Sequence, residues 1–247
     1  MKTVCIIPAR YASTRLPGKP LLKIAGKPMI WHVVEQVRQA RQVDRIIVAT
    51  DDERIFNTVC DFGGEAWLTR ADHPTGTDRL AEVAKKLSEA ELILNVQGDE
   101  PLIQPQAIDA LAEAFADRPE LKMATLMTPL AEEEICNPAV VKVVASLDGH
   151  ALYFSRSPIP YRQNSGADSQ IFKHIGAYAY RHDFLLQFAS LAPTPLELTE
   201  SLEQLRALEH GYRIRLIETP FRSVGVDTPE DMERVRQSFR KLQEETQ

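Results

Sequence analysis

The sequence predicts an α/β protein: a Rossmann-like three-layer sandwich with a mostly parallel central sheet and a small antiparallel insertion. Short β-branched runs alternate with stretches of helical period, the pattern of βαβ units on a parallel sheet. With 247 residues, 44% of them hydrophobic, the chain is long enough to bury a sizeable core and short enough to be one domain. No long linker, low-complexity block or internal repeat interrupts it, so the expected organisation is a single domain over 1–247.

In chain order, the run at 3–8 reads as the first strand, followed by a helix over 28–41, a strand at 45–50 and a helix over 52–61. A helix at 77–87, a strand at 92–96 and a helix at 105–116 continue the alternation. From 123 to 180 the texture changes. The segments 140–144 and 151–154 read as successive strands joined at an Asp148-Gly149 turn, so this stretch is expected to form the antiparallel insertion or edge. Helical period returns at 182–191 and 198–209, a strand follows at 212–218, and an amphipathic helix over 229–243 closes the chain. Sheets of this kind gather ligands where strands end and helices begin.

The 29 basic and 35 acidic residues leave a formal charge of -6, which excludes a broad nucleic-acid-binding face. Any positive charge for an anionic ligand must then be local. Cys5, Cys60 and Cys136 are far apart and odd in number, so neither a disulfide framework nor a zinc site is indicated. The apolar run at 4–7 is too short for a signal peptide or a membrane span. A cytoplasmic protein with no membrane partner is expected.

Local positive charge stands directly after the first strand. The loop Pro8-Ala9-Arg10-Tyr11-Ala12-Ser13-Thr14-Arg15-Leu16-Pro17-Gly18-Lys19-Pro20 carries three cations, which repel one another unless an anion sits among them. A triphosphate is such an anion, and Gly18 with small neighbours lets backbone N–H groups approach its oxygens. A solvated basic loop explains the charge equally well. The spacing fits neither a Walker A loop nor a Gly-x-Gly-x-x-Gly dinucleotide fingerprint.

Two carboxylates stand at comparable junctions. Asp99, in Gln97-Gly98-Asp99-Glu100-Pro101, ends the strand at 92–96; Asp227, in Gly225-Val226-Asp227-Thr228-Pro229, precedes the last helix. Mg2+ takes hard oxygen ligands, commonly one or two carboxylates plus substrate phosphates, so the pair is a candidate metal site if both loops open on one edge of the sheet. Asp99 can instead close a turn, and Asp227 can instead be the N-cap of the final helix. At His73-Pro74-Thr75-Gly76-Thr77-Asp78-Arg79, Thr77 is placed to cap the next helix while Thr75, Gly76 and Arg79 offer donors to a base or ribose. Further candidates are Arg156 and the strand bearing His174, Gly176, Tyr178 and Tyr180 on one face by period two. Plain structural roles suit the histidine and the tyrosines as well.

The run from Ile7 to Leu21 resembles the opening signature of the 3-deoxy-manno-octulosonate cytidylyltransferases, which make CMP-Kdo from CTP and Kdo. The segments Gln97-Gly98-Asp99-Glu100-Pro101, Gly225-Val226-Asp227-Thr228-Pro229, Tyr153-Phe154-Ser155-Arg156, Lys173-His174-Ile175-Gly176-Ala177-Tyr178 and Leu202-Glu203-Gln204-Leu205-Arg206 resemble others of that family, in the expected order and from residue 7 to residue 229. The resemblance implies a nucleotide-diphospho-sugar transferase type of fold and assigns Arg10, Arg15 and Lys19 to phosphate contacts, with Arg10, Lys19, Asp99 and Asp227 as the catalytic set. It further implies Pro8, Ala9, Thr75, Gly76, Arg79 and Gln97 at CTP; Arg156, His174, Tyr178, Glu203 and Gln204 at the sugar; and Mg2+ on Asp99 and Asp227. Cytidine rests on the resemblance alone, as does a homodimer touching through 123–180. With no obvious separate general base, metal-assisted deprotonation of the sugar hydroxyl is the expected mechanism. Rival readings are a sialate-type cytidylyltransferase, which shares the first loop, a non-catalytic nucleotide-sugar-binding module, and an NAD-dependent oxidoreductase, which lacks its glycine fingerprint here.

Overall fold

The computed structural model describes residues 1–12, 16–164, 170–221 and 223–245. Its strands are β1 (Thr3–Ala9), β2 (Lys23–Ile24), β3 (Lys27–Pro28), β4 (Arg45–Thr50), β5 (Ala66–Leu68), β6 (Leu92–Asn95), β7 (Met123–Pro129), β8 (Lys142–Ala145), β9 (Ala151–Ser155), β10 (Phe172–Arg181) and β11 (Arg215–Glu218). Its helices are α1 (Met29–Arg38), α2 (Glu53–Asp61), α3 (Gly76–Ala84), α4 (Pro105–Glu113), α5 (His182–Ser190), α6 (Pro195–Glu200), α7 (Gln204–Glu209) and α8 (Pro229–Glu245).

The central sheet runs β11-β7-β10-β6-β1-β4-β5. β1 pairs parallel with β4 and β6, β4 with β5, and β11 with β7, while β10 alone lies antiparallel between β6 and β7. The expected antiparallel insertion over 123–180 is therefore narrower in the structure. β7 and β10 belong to the central sheet, and only the β8–β9 hairpin extends it antiparallel off β10.

β1 is buried along its whole length, which forces helices onto both faces. Cys5 and Ile7 pack with α1 and α4, whereas Val4 and Ile6 pack with α3 and α5, the alternation that period two requires. Each fully buried Ile or Val contributes roughly 1.5–3 kcal/mol relative to exposure, so these two apolar layers fix which ends of the strands share an edge. The carboxyl ends of β1, β6 and β11 open on one edge, and Asp99 and Asp227 follow the last two.

The expected helix at 198–209 is two helices. α6 ends at Ser201, whose φ of 52° is left-handed, and α7 restarts after Glu203. A left-handed residue reverses the chain out of the helix, and the restart re-aims Glu203 and Gln204. The N-cap of α3 is Thr75 rather than Thr77: its hydroxyl accepts from the Asp78 amide and the Asp78 carboxylate accepts from the Thr75 amide. Asp at the third helical position completes this reciprocal pair, two residues earlier than expected, and frees the Thr77 hydroxyl.

Candidate active site

Arg10 begins the loop leaving β1. Its Nη2 is buried without a hydrogen-bond partner among the described residues, a costly condition for a guanidinium unless a ligand completes it. Arg15 lies outside the described residues. Gly18 has a φ of 66°, and a Cβ there would stand 2.9 Å from the Tyr11 ring, so the return of this loop requires glycine. The Gly18 amide donates to the Tyr11 carbonyl at 3.0 Å, and the turn delivers Lys19 to the site.

Lys19 Nζ donates to Asp99 Oδ2 at 2.6 Å, to Asp227 Oδ1 at 3.2 Å and to the Val226 carbonyl at 2.8 Å. The two acids, 128 positions apart in sequence, thus converge on one cation, and the Val226 amide donates to the Asp99 carbonyl at 2.9 Å to join their loops. Burial disfavours the Lys19 charge, but Asp99 and then Asp227 more than offset it and hold its pKa above the ordinary value. Gly98 makes the approach possible: a Cβ there would stand 2.9 Å from the Pro8 carbonyl oxygen, closer than real Cβ contacts allow.

The N-cap alternative for Asp227 fails in the structure. Thr228 and Asp231 form the cap of α8, with the Asp231 amide donating to Thr228 Oγ1 at 3.2 Å and the Thr228 amide donating to Asp231 Oδ2 at 2.9 Å. The Asp227 carboxylate, left more than half exposed, faces Lys19 instead. Among the described residues no group of three or more His, Cys, Asp or Glu side chains forms a metal cage. Two hard carboxylate oxygens at the mouth of a cleft suit an ion whose remaining ligands are water and substrate oxygens, which is the habit of Mg2+.

Beyond this pair opens a cleft of about 830 Å³, lined by eight of the predicted residues: Gly76, Gln97, Arg156, His174, Tyr178, Glu203, Gln204 and Asp227. Pro8 and Ala9 are buried beneath the loop. Arg79 has no exposed surface; its guanidinium donates to Thr69 Oγ1 and, at 3.1 Å, to Asp51 Oδ2, which braces the ends of β4 and β5, while its Nε lacks a partner among the described residues. Arg156 lines the cleft, but its guanidinium donates to the carbonyls of Glu200 at 2.8 Å and Pro138 at 3.1 Å.

The far end of the cleft is lined by buried polar groups. The Thr77 hydroxyl donates to Glu203 Oε2 at 2.7 Å; burial raises the pKa of Glu203, and its bonds from Thr77 and Thr75 offset this only in part. Gln204 is buried, with its Nε2 lacking a partner among the described residues. His174 and Tyr178 rings meet at 5.4 Å. Burial, with the nearby Lys173 charge, pushes the His174 pKa down to about 3.

Sequence reasoning missed Glu100 and Lys173, which also line the cleft. Glu100 bonds the Ser223 hydroxyl, and burial with the adjacent Asp99 charge pushes its pKa up to about 7. Its place beside Asp99 in one turn was the available signal. Lys173 is hidden by alternation, which sends neighbours of His174 to the other face; its long stem carries Nζ round to the Ser223 carbonyl at 3.3 Å.

Residues 4–214 match the family model described as Cytidylyltransferase. The chain is similar to the 3-deoxy-manno-octulosonate cytidylyltransferase of Pelobacter propionicus, at 53% identity over 98% of this chain and 99% of that protein. It is likewise similar to the one from Geobacter sulfurreducens, at 51% identity over 97% of this chain and 100% of that protein. Among solved structures it resembles CMP:2-keto-3-deoxy-manno-octonic acid synthetase complexed with CTP, at 48% identity and a TM-score of 0.93, covering 98% of this chain and 99% of that one.

Proposed function

We infer the activity from a single premise: the chain belongs to the 3-deoxy-manno-octulosonate cytidylyltransferase family. The reaction is transfer of CMP from CTP to the anomeric hydroxyl of Kdo, giving CMP-Kdo and pyrophosphate for lipopolysaccharide synthesis in the cytoplasm. The observation that carries this reading is the meeting of Lys19, Asp99 and Asp227 at one end of a cleft whose other end presents buried hydrogen-bonding groups, among them His174 and Gln204. Only a ligand that is highly charged at one end and hydroxylated at the other uses both.

In this reading the anomeric oxygen attacks the α-phosphorus in line, the bond from that phosphorus to the bridging oxygen breaks, and pyrophosphate leaves. Arg10, with its unpartnered Nη2, and Lys19 bind phosphate oxygens and stabilise the charge that develops on the leaving group, as positioning and electrostatics dominate such transfers. Asp99 and Asp227 would hold Mg2+, which supplies Lewis-acid neutralisation of phosphate charge and makes a hydroxyl it touches more acidic. Arg15 is assigned to the phosphates by family resemblance. Gly76 and Gln97 line the nucleotide side, where Thr75 holds the start of α3 in place. His174, Tyr178, Glu203 and Gln204 address the sugar, and Gln204 Nε2 is a donor awaiting a hydroxyl.

A homodimer through the 123–180 region completes the proposal, supported by exposed Leu152 and Tyr161 there; light scattering of the purified chain measures it. For the reaction itself, pyrophosphate release is followed with CTP, Mg2+ and either Kdo or sialic acid. Release with Kdo alone is expected. Release with sialic acid but not Kdo would refute the acceptor, and CTP binding without release from any acceptor would refute the enzyme.

A further inference from the structure

β10 does not pair evenly with β7. Ile175 pairs with Leu126 and Tyr178 with Thr125, so Gly176 and Ala177 bulge out between them. A bulge leaves backbone carbonyls off the ladder, and buried carbonyls need donors. Thr125, fully buried, stands in this gap: its Oγ1 lies 2.8 Å from the Ala177 carbonyl, 3.3 Å from the Ile175 carbonyl and 2.9 Å from His174 Nε2.

A threonine hydroxyl has one hydrogen to donate. Carbonyl oxygens can only accept, and the shorter contact, to Ala177, takes that hydrogen. What remains on Thr125 Oγ1 is lone pairs, so the hydrogen between it and His174 must come from the imidazole. The ring stands edge-on to Phe154, with centroids 5.0 Å apart, which limits rotation. Among the described residues no carboxylate pairs with it, and burial and Lys173 both oppose a positive charge.

We propose that Thr125 is a positioning residue for the sugar end of the cleft: it fixes His174 as the neutral Nε2–H tautomer, leaving Nδ1 as a bare acceptor for a substrate hydroxyl. This rests on the reading of that end as the acceptor-sugar site. A neutral acceptor cannot bind the carboxylate of a sugar acid, so His174 reads a hydroxyl and the carboxylate must be met elsewhere. Removing the Thr125 hydroxyl thus harms acceptor binding without touching either substrate.

The test uses the full chain with nitrogen-15 in its histidine rings, at neutral pH and without ligand, and His174→Asn identifies the signals by their loss. Wild-type protein is expected to give a protonated Nε2 and a bare Nδ1 for His174. Thr125→Val should erase that preference and raise KM for Kdo roughly tenfold, the scale of one lost hydrogen bond, with KM for CTP unchanged; Thr125→Ser should restore both. An Nδ1–H tautomer or an imidazolium in wild type overturns the proposal, and so does a Thr125→Val chain that keeps the tautomer and KM. The spectra need no substrate, so a wild type that has the expected tautomer but never consumes Kdo refutes the activity and leaves the tautomer assignment standing.

Discussion

The two ends of the cleft are built on opposite plans. At the phosphate end the working groups are charged, sit on loops and are partly exposed: Asp227 is more than half exposed, and Asp99 is about a third exposed. At the sugar end they are uncharged or discouraged from charge, buried, and carried by the sheet and the α6–α7 junction: His174 is 8% exposed and Gln204 4%. Exposure keeps charges hydrated until a ligand arrives, whereas burial fixes neutral donors and acceptors in one geometry. In the proposed reading, charge supplies the chemistry and geometry supplies the choice of acceptor.

The sharpest break in this comparison is at the acids. Asp99→Asn or Asp227→Asn should lower turnover by roughly a thousandfold, the scale of losing a preorganised charge site, with the melting temperature nearly unchanged because neither acid holds up the core; stopped pyrophosphate assays beside calorimetry measure both. Gly98→Ala attacks the scaffold under the same end. Its Cβ would meet the Pro8 carbonyl, so stability should fall by about 1–3 kcal/mol and turnover with it, as denaturant melts and assays would record.

At the sugar end the expected effect is one of pH. His174 has an ordinary pKa of 6.5 when unfolded and about 3 in the fold, so below 6.5 the unfolded chain binds a proton that the folded chain refuses. Stability should therefore fall as pH drops through that window, by about 1.4 kcal/mol per unit. Denaturant titrations of wild type and His174→Asn should diverge in slope by that amount. The smallest effect separates capping from ligation. Thr228→Ala should cost about 1 kcal/mol of stability, whereas Asp227→Asn, which leaves the Thr228–Asp231 cap in place, should cost almost none.

This contrast also governs how much could be read in advance. The alternation of strand and helix gave the three layers, and the loop ends were legible because Asp99, Asp227 and Lys19 stand in compact segments with glycine and proline beside them. Register was not legible. Nothing local says that β10 inserts antiparallel between β6 and β7, because strand partners are set by long-range packing. The bulge at Gly176 and Ala177 and the Ser201 break escaped for the same reason, although both decide where His174 and Glu203 point. That Arg79 braces Asp51 and Thr69 was not legible either, because a guanidinium in a motif reads alike whatever it meets.

The central claim is that Asp99 and Asp227 share one cation beside the triphosphate. Electron paramagnetic resonance of Mn2+ titrated into the CTP-bound chain tests it without turnover. The account predicts a bound ion in wild type that is lost in Asp99→Asn and lost equally in Asp227→Asn, with no further loss when both are changed. An ion held as tightly by either single variant as by wild type would contradict it.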